Sequence, residues 1–184
     1  MESKEIFTEA ESSENEYKPK DKYEKALYGI YKNETSCEIL KISSYAIVVF
    51  AIYVFFMRLM SLVEENPTKI LWVLIVTGIP FVAVSILRKI VNAPRPYEIF
   101  EFYKTNPKDK KGESFPSRHV FSIFIIGVVI MSWNVMLGIL LLVLGVVLSV
   151  LRVLLGIHFI RDVIAGAAIG TLSGIIGLIV LHCA

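Results

Sequence analysis

An all-α, polytopic membrane helix bundle is what this sequence predicts, with about five transmembrane helices and an N-terminal amphipathic surface helix. Composition is the first ground for it. The 184 residues are 55% hydrophobic and have a mean hydropathy of +0.63, whereas a soluble domain is nearer half apolar with mixed patterning. The second ground is a run of five apolar spans, at residues 42–63, 70–90, 119–133, 135–155 and 163–181. The third is that none of them alternates with a period of two. Lipid offers no partner to a backbone amide, so spans without a barrel's alternation must satisfy their amides as helices.

The elements follow in order. Residues 1–22 are rich in Glu, Lys and Ser and nearly free of aliphatic side chains, which reads as a disordered polar tail. An apolar h-region is missing, so the tail is not expected to act as a signal peptide. Residues 23–184 then form one membrane-embedded domain, a length that suits a single unit. Over 23–40, Tyr23, Ala26, Leu27, Ile30 and Tyr31 recur at helical spacing among lysines, the pattern of a helix lying on a membrane surface. A bilayer core takes about 20 helical residues to cross, so four of the five spans are long enough. The third is short, and Ser117, Arg118 and Trp133 would extend it into the interface. Arg58 interrupts the first span near its end and can snorkel to headgroups. Pro80, with Gly78, is expected to kink the second. Residues 92–115 form a long basic connection in which Pro94 and Pro96 end the preceding helix.

Other classes are poorly served. A net charge of +2 gives no case for nucleic acid. Cys37 and Cys183 are two cysteines far apart, not a disulfide framework. Gly166, Gly170 and Gly174 repeat a small-xxx-small spacing that helix packing explains. A membrane surface also leaves homo-oligomerisation open.

With five spans, the tail, the 92–115 connection and the turn at 156–161 share one face of the membrane. That face gathers Arg95-Pro96, Pro116-Ser117-Arg118-His119, and Arg152 with His158 and Asp162. Ionisable groups at a membrane boundary cost free energy unless paired or used, so these are functional candidates. The residue types suit phosphoryl transfer without a metal. Arginines match phosphate oxygens bidentately, and Arg88 lies seven residues before Arg95, close to two helical turns. Ser117 and Arg118 open a helix whose free amides favour an anion. His119, in that first turn, can protonate a leaving oxygen. His158 and Asp162 are four apart, one helical turn if the last helix begins that early. A carboxylate that accepts from one ring nitrogen leaves the other as a nucleophile.

These three segments resemble the signature of the type 2 phosphatidic acid phosphatase superfamily, membrane relatives of vanadium haloperoxidases and acid phosphatases. The family pattern is a basic residue, six spacers and Arg-Pro; then Pro-Ser-Gly-His; then Ser-Arg, five spacers, His, three spacers and Asp. Arg88 with Arg95-Pro96 keeps the first spacing, with Arg for the usual Lys, and Lys89 lies one residue out of register. Pro116-Ser117-Arg118-His119 keeps the second, with Arg118 for Gly. Arg152, His158 and Asp162 keep the third, with Leu151 at the usual Ser and Ser149 two earlier. The resemblance runs from about Leu87 to Gly166. It implies a lipid phosphatase in which His158 attacks phosphorus, Asp162 orients it and His119 is the general acid. Arg88, Arg95, Ser117 and Arg152 would bind phosphate, Arg118 would add a phosphate or headgroup contact, and no metal or cofactor is implied. The usual family bundle has six spanning helices, one more than this sequence offers.

Two other readings remain at this stage. His119, His158 and Asp162 make a two-histidine, one-carboxylate metal set, although Arg95, Arg118 and Arg152 would repel a cation. A non-enzymatic lipid-phosphate carrier would also use the arginines but has no need of an Asp-oriented histidine. Lys89, Lys104, Lys110, Lys111, Arg161 and His182 read as interfacial or rim residues. Sidedness divides two arguments. Lysines of the tail and surface helix favour a cytoplasmic site. The resemblance implies an extracytoplasmic one, which is the expectation here and requires an exported tail or a re-inserted 23–40 segment.

Overall fold

The computed structural model describes residue 20 and residues 22–100 and 111–183. The expected polar tail falls outside these residues except at Lys20 and Lys22, as does the stretch 101–110 of the long connection.

The described residues form seven helices: α1 (Lys22–Lys32), α2 (Glu34–Glu65), α3 (Pro67–Val91), the single turn α4 (Pro96–Ile99), α5 (Arg118–Met131), α6 (Val135–Leu154) and α7 (Ile160–Cys183). Four stretches are long and apolar enough to cross a membrane: α2, α3 with α4, α6, and the Ile160–Ile179 part of α7. Large apolar side chains stand outward on them, Ile90 at 75% exposure and Met136 at 78%. In water such a surface would be a liability; against lipid it is the expected one.

α5 is the short span, with 14 residues and a rise of about 21 Å. It sits at the centre, packed mainly between α6 and α7. Val120, Phe121, Ile123, Ile125, Val128, Val129 and Ile130 are all buried, so α5 is apolar all round because helices surround it. Glycines bring α7 onto it. A Cβ at Gly166 would lie 2.6 Å from the Ser117 carbonyl oxygen, and one at Gly170 2.5 Å from that of Phe121. The small-residue stripe is thus a packing device, as its spacing predicts.

One expectation about the helices needs correction. The helix expected over 23–40 is split. Asn33 takes an extended conformation (φ −94°, ψ 98°) and its side chain accepts from the Ser36 amide at 3.0 Å, so residues 34–40 belong to α2. The remaining α1 turns Leu27 into the protein, 1% exposed, against Tyr97, with Tyr28, Phe100 and Leu154 alongside. Arg58 finds its partners at the end of its span. It pairs with Glu65 at 2.9 Å and lies 5.2 Å over the Trp133 ring.

Candidate active site

The site begins where α3 stops. Asn92 adopts the left-handed conformation (φ 41°) as the C-cap and its amide bonds back to the Arg88 carbonyl. Pro94 and Pro96 prevent continuation, and α4 restarts after Arg95. Here the Glu98 carboxylate does the folding. Its Oε1 accepts from the amides of Arg95 at 3.0 Å and Gly112 at 2.7 Å. The Arg95 Nε donates to the Gly112 carbonyl at 2.8 Å, and the Ser114 amide to that of Ala93 at 2.9 Å. Residues 112–117 are thereby laid back over 92–98 and led into α5.

The second segment is held from two sides. The Ser117 amide donates to the Asp162 carbonyl at 2.9 Å, and Arg88 Nη1 donates to the Pro116 carbonyl. Arg118 leans away, its guanidinium 5.6 Å from the centre of the Phe81 ring. Arg118 and His119 border a cavity of about 470 Å³ between α2, α3 and α5, otherwise lined by residues such as Val48, Phe55, Phe81 and Ser122.

The third segment is a tight turn. α6 ends at Leu154, Gly156 takes φ 62°, and the Arg152 carbonyl accepts from the amides of Ile157 at 3.1 Å and His158 at 3.3 Å. This curls the chain so that His158 lies under the end of its own helix. α7 begins only at Ile160, two residues after His158, so the expected pairing along one helical turn is not what joins His158 to Asp162. Instead Asp162 Oδ2 reaches back to the Phe159 amide at 3.0 Å, half of a capping box. The His158 Nδ1 is 3.7 Å from that oxygen, too far for a hydrogen bond. Ser114 fills the gap. Its hydroxyl donates to Asp162 Oδ2 at 2.5 Å and stands 3.4 Å from His158 Nδ1.

Burial makes these charges costly. Arg88, Arg95, Arg152, Ser117, His158 and Asp162 are all buried, while Lys89, the competing basic residue, is exposed. Arg118 and His119 are half-buried. The Arg95 and Arg88 charges both act on the His158 imidazole. All eight sequence-derived site residues meet at one end of the bundle. Burial pushes the His158 imidazole below its ordinary pKa; the Asp162 carboxylate opposes this, and Arg95 and Arg88 add to it. Among the described residues, several buried donors have no protein partner: Arg88 Nε, Arg152 Nε and Nη2, and the Ser117 hydroxyl.

Ser114 and Glu98 are the residues that sequence reasoning missed. Glu98 had a signal, an acid three residues after Arg95 at a helix start; Ser114 had none. Ser149 is not at the site, since its hydroxyl returns to the Gly145 carbonyl at 2.8 Å. Arg161 is a rim residue, with its side chain 66% exposed and its Nε 3.5 Å from Asp162 Oδ1. Among the described residues, no three His, Cys, Asp or Glu side chains converge as a metal's donors would. The reading of His119, His158 and Asp162 as a ligand set thus has no geometric support.

Comparison with known proteins bears on the fold and the family. The fold is similar to that of Aquifex aeolicus LpxE, at 23% identity and a TM-score of 0.62, over 84% of this chain and 93% of that one. It is similar as well to a Bacillus subtilis PAP2-type phosphatidylglycerolphosphate phosphatase, at 20% identity and a TM-score of 0.67, over 86% and 85%. No curated protein is significantly similar in sequence. The sequence profile of the PAP2 superfamily matches residues 66–182, which hold every residue of the site, and the chain is a member of that superfamily.

Proposed function

We propose that this protein is an integral membrane lipid phosphatase that hydrolyses a lipid phosphomonoester or pyrophosphate through a phosphohistidine at His158. The observation that carries the reading is the set of buried donors without protein partners. Among the described residues, Arg88 Nε, Arg152 Nε and Nη2 and the Ser117 hydroxyl find no protein partner, at the end of the bundle that also holds Arg95. Unpaired buried cations are strongly unfavourable, and a phosphate would satisfy both the charge and the hydrogen bonds. One of the similar solved structures is a phosphatidylglycerolphosphate phosphatase, which supports a lipid substrate. Phosphatidic acid, phosphatidylglycerol phosphate and polyprenyl pyrophosphate all present the same reacting group.

The steps follow from the residues. The His158 Nε2 lone pair attacks phosphorus, the N–P bond forms, and the bond from phosphorus to the lipid oxygen breaks. His119 gives that oxygen its proton. Water then attacks phosphorus while His119 takes a proton from that water; an O–P bond forms, the N–P bond to His158 breaks, and inorganic phosphate leaves. Arg88, Arg95, Arg152 and Ser117 hold the equatorial oxygens, where charge builds in the transition state. The same arginines supply the charge neutralisation that a divalent metal would otherwise provide, so the reaction is metal-independent. Arg118, at the mouth of the apolar cavity, contacts headgroups with additional negative charge. The catalytic unit is the membrane-embedded domain from residue 23 onward, with the polar tail outside it.

α1 bears on sidedness. Its 11 residues rise about 16 Å, half of a hydrocarbon core, so it cannot serve as a re-inserted span. Tail and site then share a face, and the extracytoplasmic placement we retain requires an exported tail.

The test is a panel of short-chain lipid phosphates offered to purified protein in excess EDTA. Release of phosphate from at least one lipid, lost in His158→Ala, is expected. No turnover of any member, with tight binding retained, would favour a carrier. Activity lost to EDTA and restored by one divalent cation would overturn metal independence.

A further inference from the structure

We infer that Ser114 is a positioning residue, the hydroxyl through which Asp162 orients the nucleophilic imidazole of His158. The inference rests on the phosphatase reading and deepens it at a residue that lies in none of the three spaced segments.

The geometry supports it in three ways. The His158 Nδ1 and Asp162 Oδ2 are 3.7 Å apart, so the carboxylate does not accept directly from the ring. The Ser114 hydroxyl donates to Asp162 Oδ2 and, at 3.4 Å, is the near acceptor for an Nδ1–H. A hydroxyl has one donor and two acceptor lone pairs, so it can do both at once. The chain Nδ1–H to Ser114 Oγ–H to Asp162 fixes the ring with Nε2 unprotonated, the form that attacks. Second, the Ser114 side chain is fully buried and its backbone is pinned, with its amide on the Ala93 carbonyl at 2.9 Å. The hydroxyl is therefore held in place by the Glu98-organised fold of residues 92–98 over 112–117. Third, Asp162 Oδ2 also accepts from the Phe159 amide at 3.0 Å, so the carboxylate is held where the Ser114 hydroxyl meets it. Without Ser114, the carboxylate would face the ring only across the 3.7 Å gap.

The test uses the full chain in detergent micelles with dioctanoyl phosphatidic acid, or with whichever panel lipid is turned over fastest. Ser114→Ala removes both the bond from the ring and the charge-assisted bond to Asp162, which predicts a kcat loss of about tenfold or more. KM should stay within about twofold, because no contact with substrate is removed. Ser114→Cys keeps the volume but offers only a weak S–H donor; it should show the same kcat loss and guards against a packing effect. A double-mutant cycle gives the sharper reading. If Asp162 acts through Ser114, Asp162→Asn should cost much less in the Ser114→Ala background than in the wild type. Wild-type kcat in both Ser114 variants, or full additivity of the two losses, would overturn this inference while leaving an inactive His158→Ala, and the phosphatase reading, intact. Turnover in His158→Ala would instead overturn the nucleophile assignment itself.

Discussion

Adding one methyl group at Gly166 should damage catalysis from a position that touches no substrate. A Cβ there would stand 2.6 Å from the Ser117 carbonyl oxygen and 3.3 Å from the Phe121 amide nitrogen. Ordinary C···O contacts lie at about 3.3–3.6 Å, so either α7 or the Ser117 turn must give way by roughly 0.7–1 Å. Side chains cannot absorb the shift, because both groups belong to the backbone. The Ser117 amide is bonded to the Asp162 carbonyl at 2.9 Å, so the displacement separates the turn proposed to bind phosphate from the helix carrying Asp162. A misplacement of about 1 Å in an active site can cost about 100-fold, and overpacking of this kind destabilises by about 1–3 kcal/mol. Gly166→Ala should therefore remain folded in detergent but lose roughly 100-fold in kcat/KM. Gly174→Ala is the control. Its Cβ would meet the Val128 side chain at 2.7 Å, two turns further from the site, so it should lower the unfolding temperature with a much smaller kinetic effect. A folded Gly166→Ala with wild-type kcat/KM would refute the idea that this helix contact sets the site's geometry.

Further outcomes are expected. Arg118→Gly should keep most of the turnover of a simple phosphomonoester but weaken binding of pyrophosphate or doubly charged headgroups; a loss as deep as that of His158→Ala would make Arg118 a primary catalytic group. Because burial lowers the His158 pKa, its neutral, nucleophilic form persists to lower pH. The acid limb of kcat/KM should then lie below the ordinary histidine value of about 6.5, and a limb at or above it would contradict the assignment. A cysteine at Lys111, which is exposed, in a background with Cys37 and Cys183 replaced by serine, should react with a membrane-impermeant reagent in intact cells; reaction only after permeabilisation would place the site in the cytoplasm.

Much of this molecule was legible in its sequence, for identifiable reasons. Spans could be read because lipid forces each helix to be apolar along its own length, with no help from distant partners. Arg152, His158 and Asp162 could be read because charges at a membrane boundary stand out against that background. Arg88 could not be separated from Lys89 by composition. The choice depends on which face of α3 turns inward, and the fold buries Arg88 and exposes Lys89. Ser114 was illegible for a similar reason. A serine in a polar connection carries no periodic signal, and its meaning comes from a long-range contact across 48 residues to Asp162. The division at Asn33 was missed because a helix continuing into a span hides a cap. The length of α5 was read correctly, but its central place was not, since only packing against α6 and α7 reveals it.

Phosphoenzyme trapping bears most directly on the central claim. The protein is mixed with a lipid phosphate carrying a radioactive phosphoryl group and quenched in alkali, where a phosphohistidine survives. Label on a single peptide, bound to the ring nitrogen of His158 and absent from His158→Ala, is the predicted result. Turnover with no labelled intermediate, or label at any other residue, would contradict it.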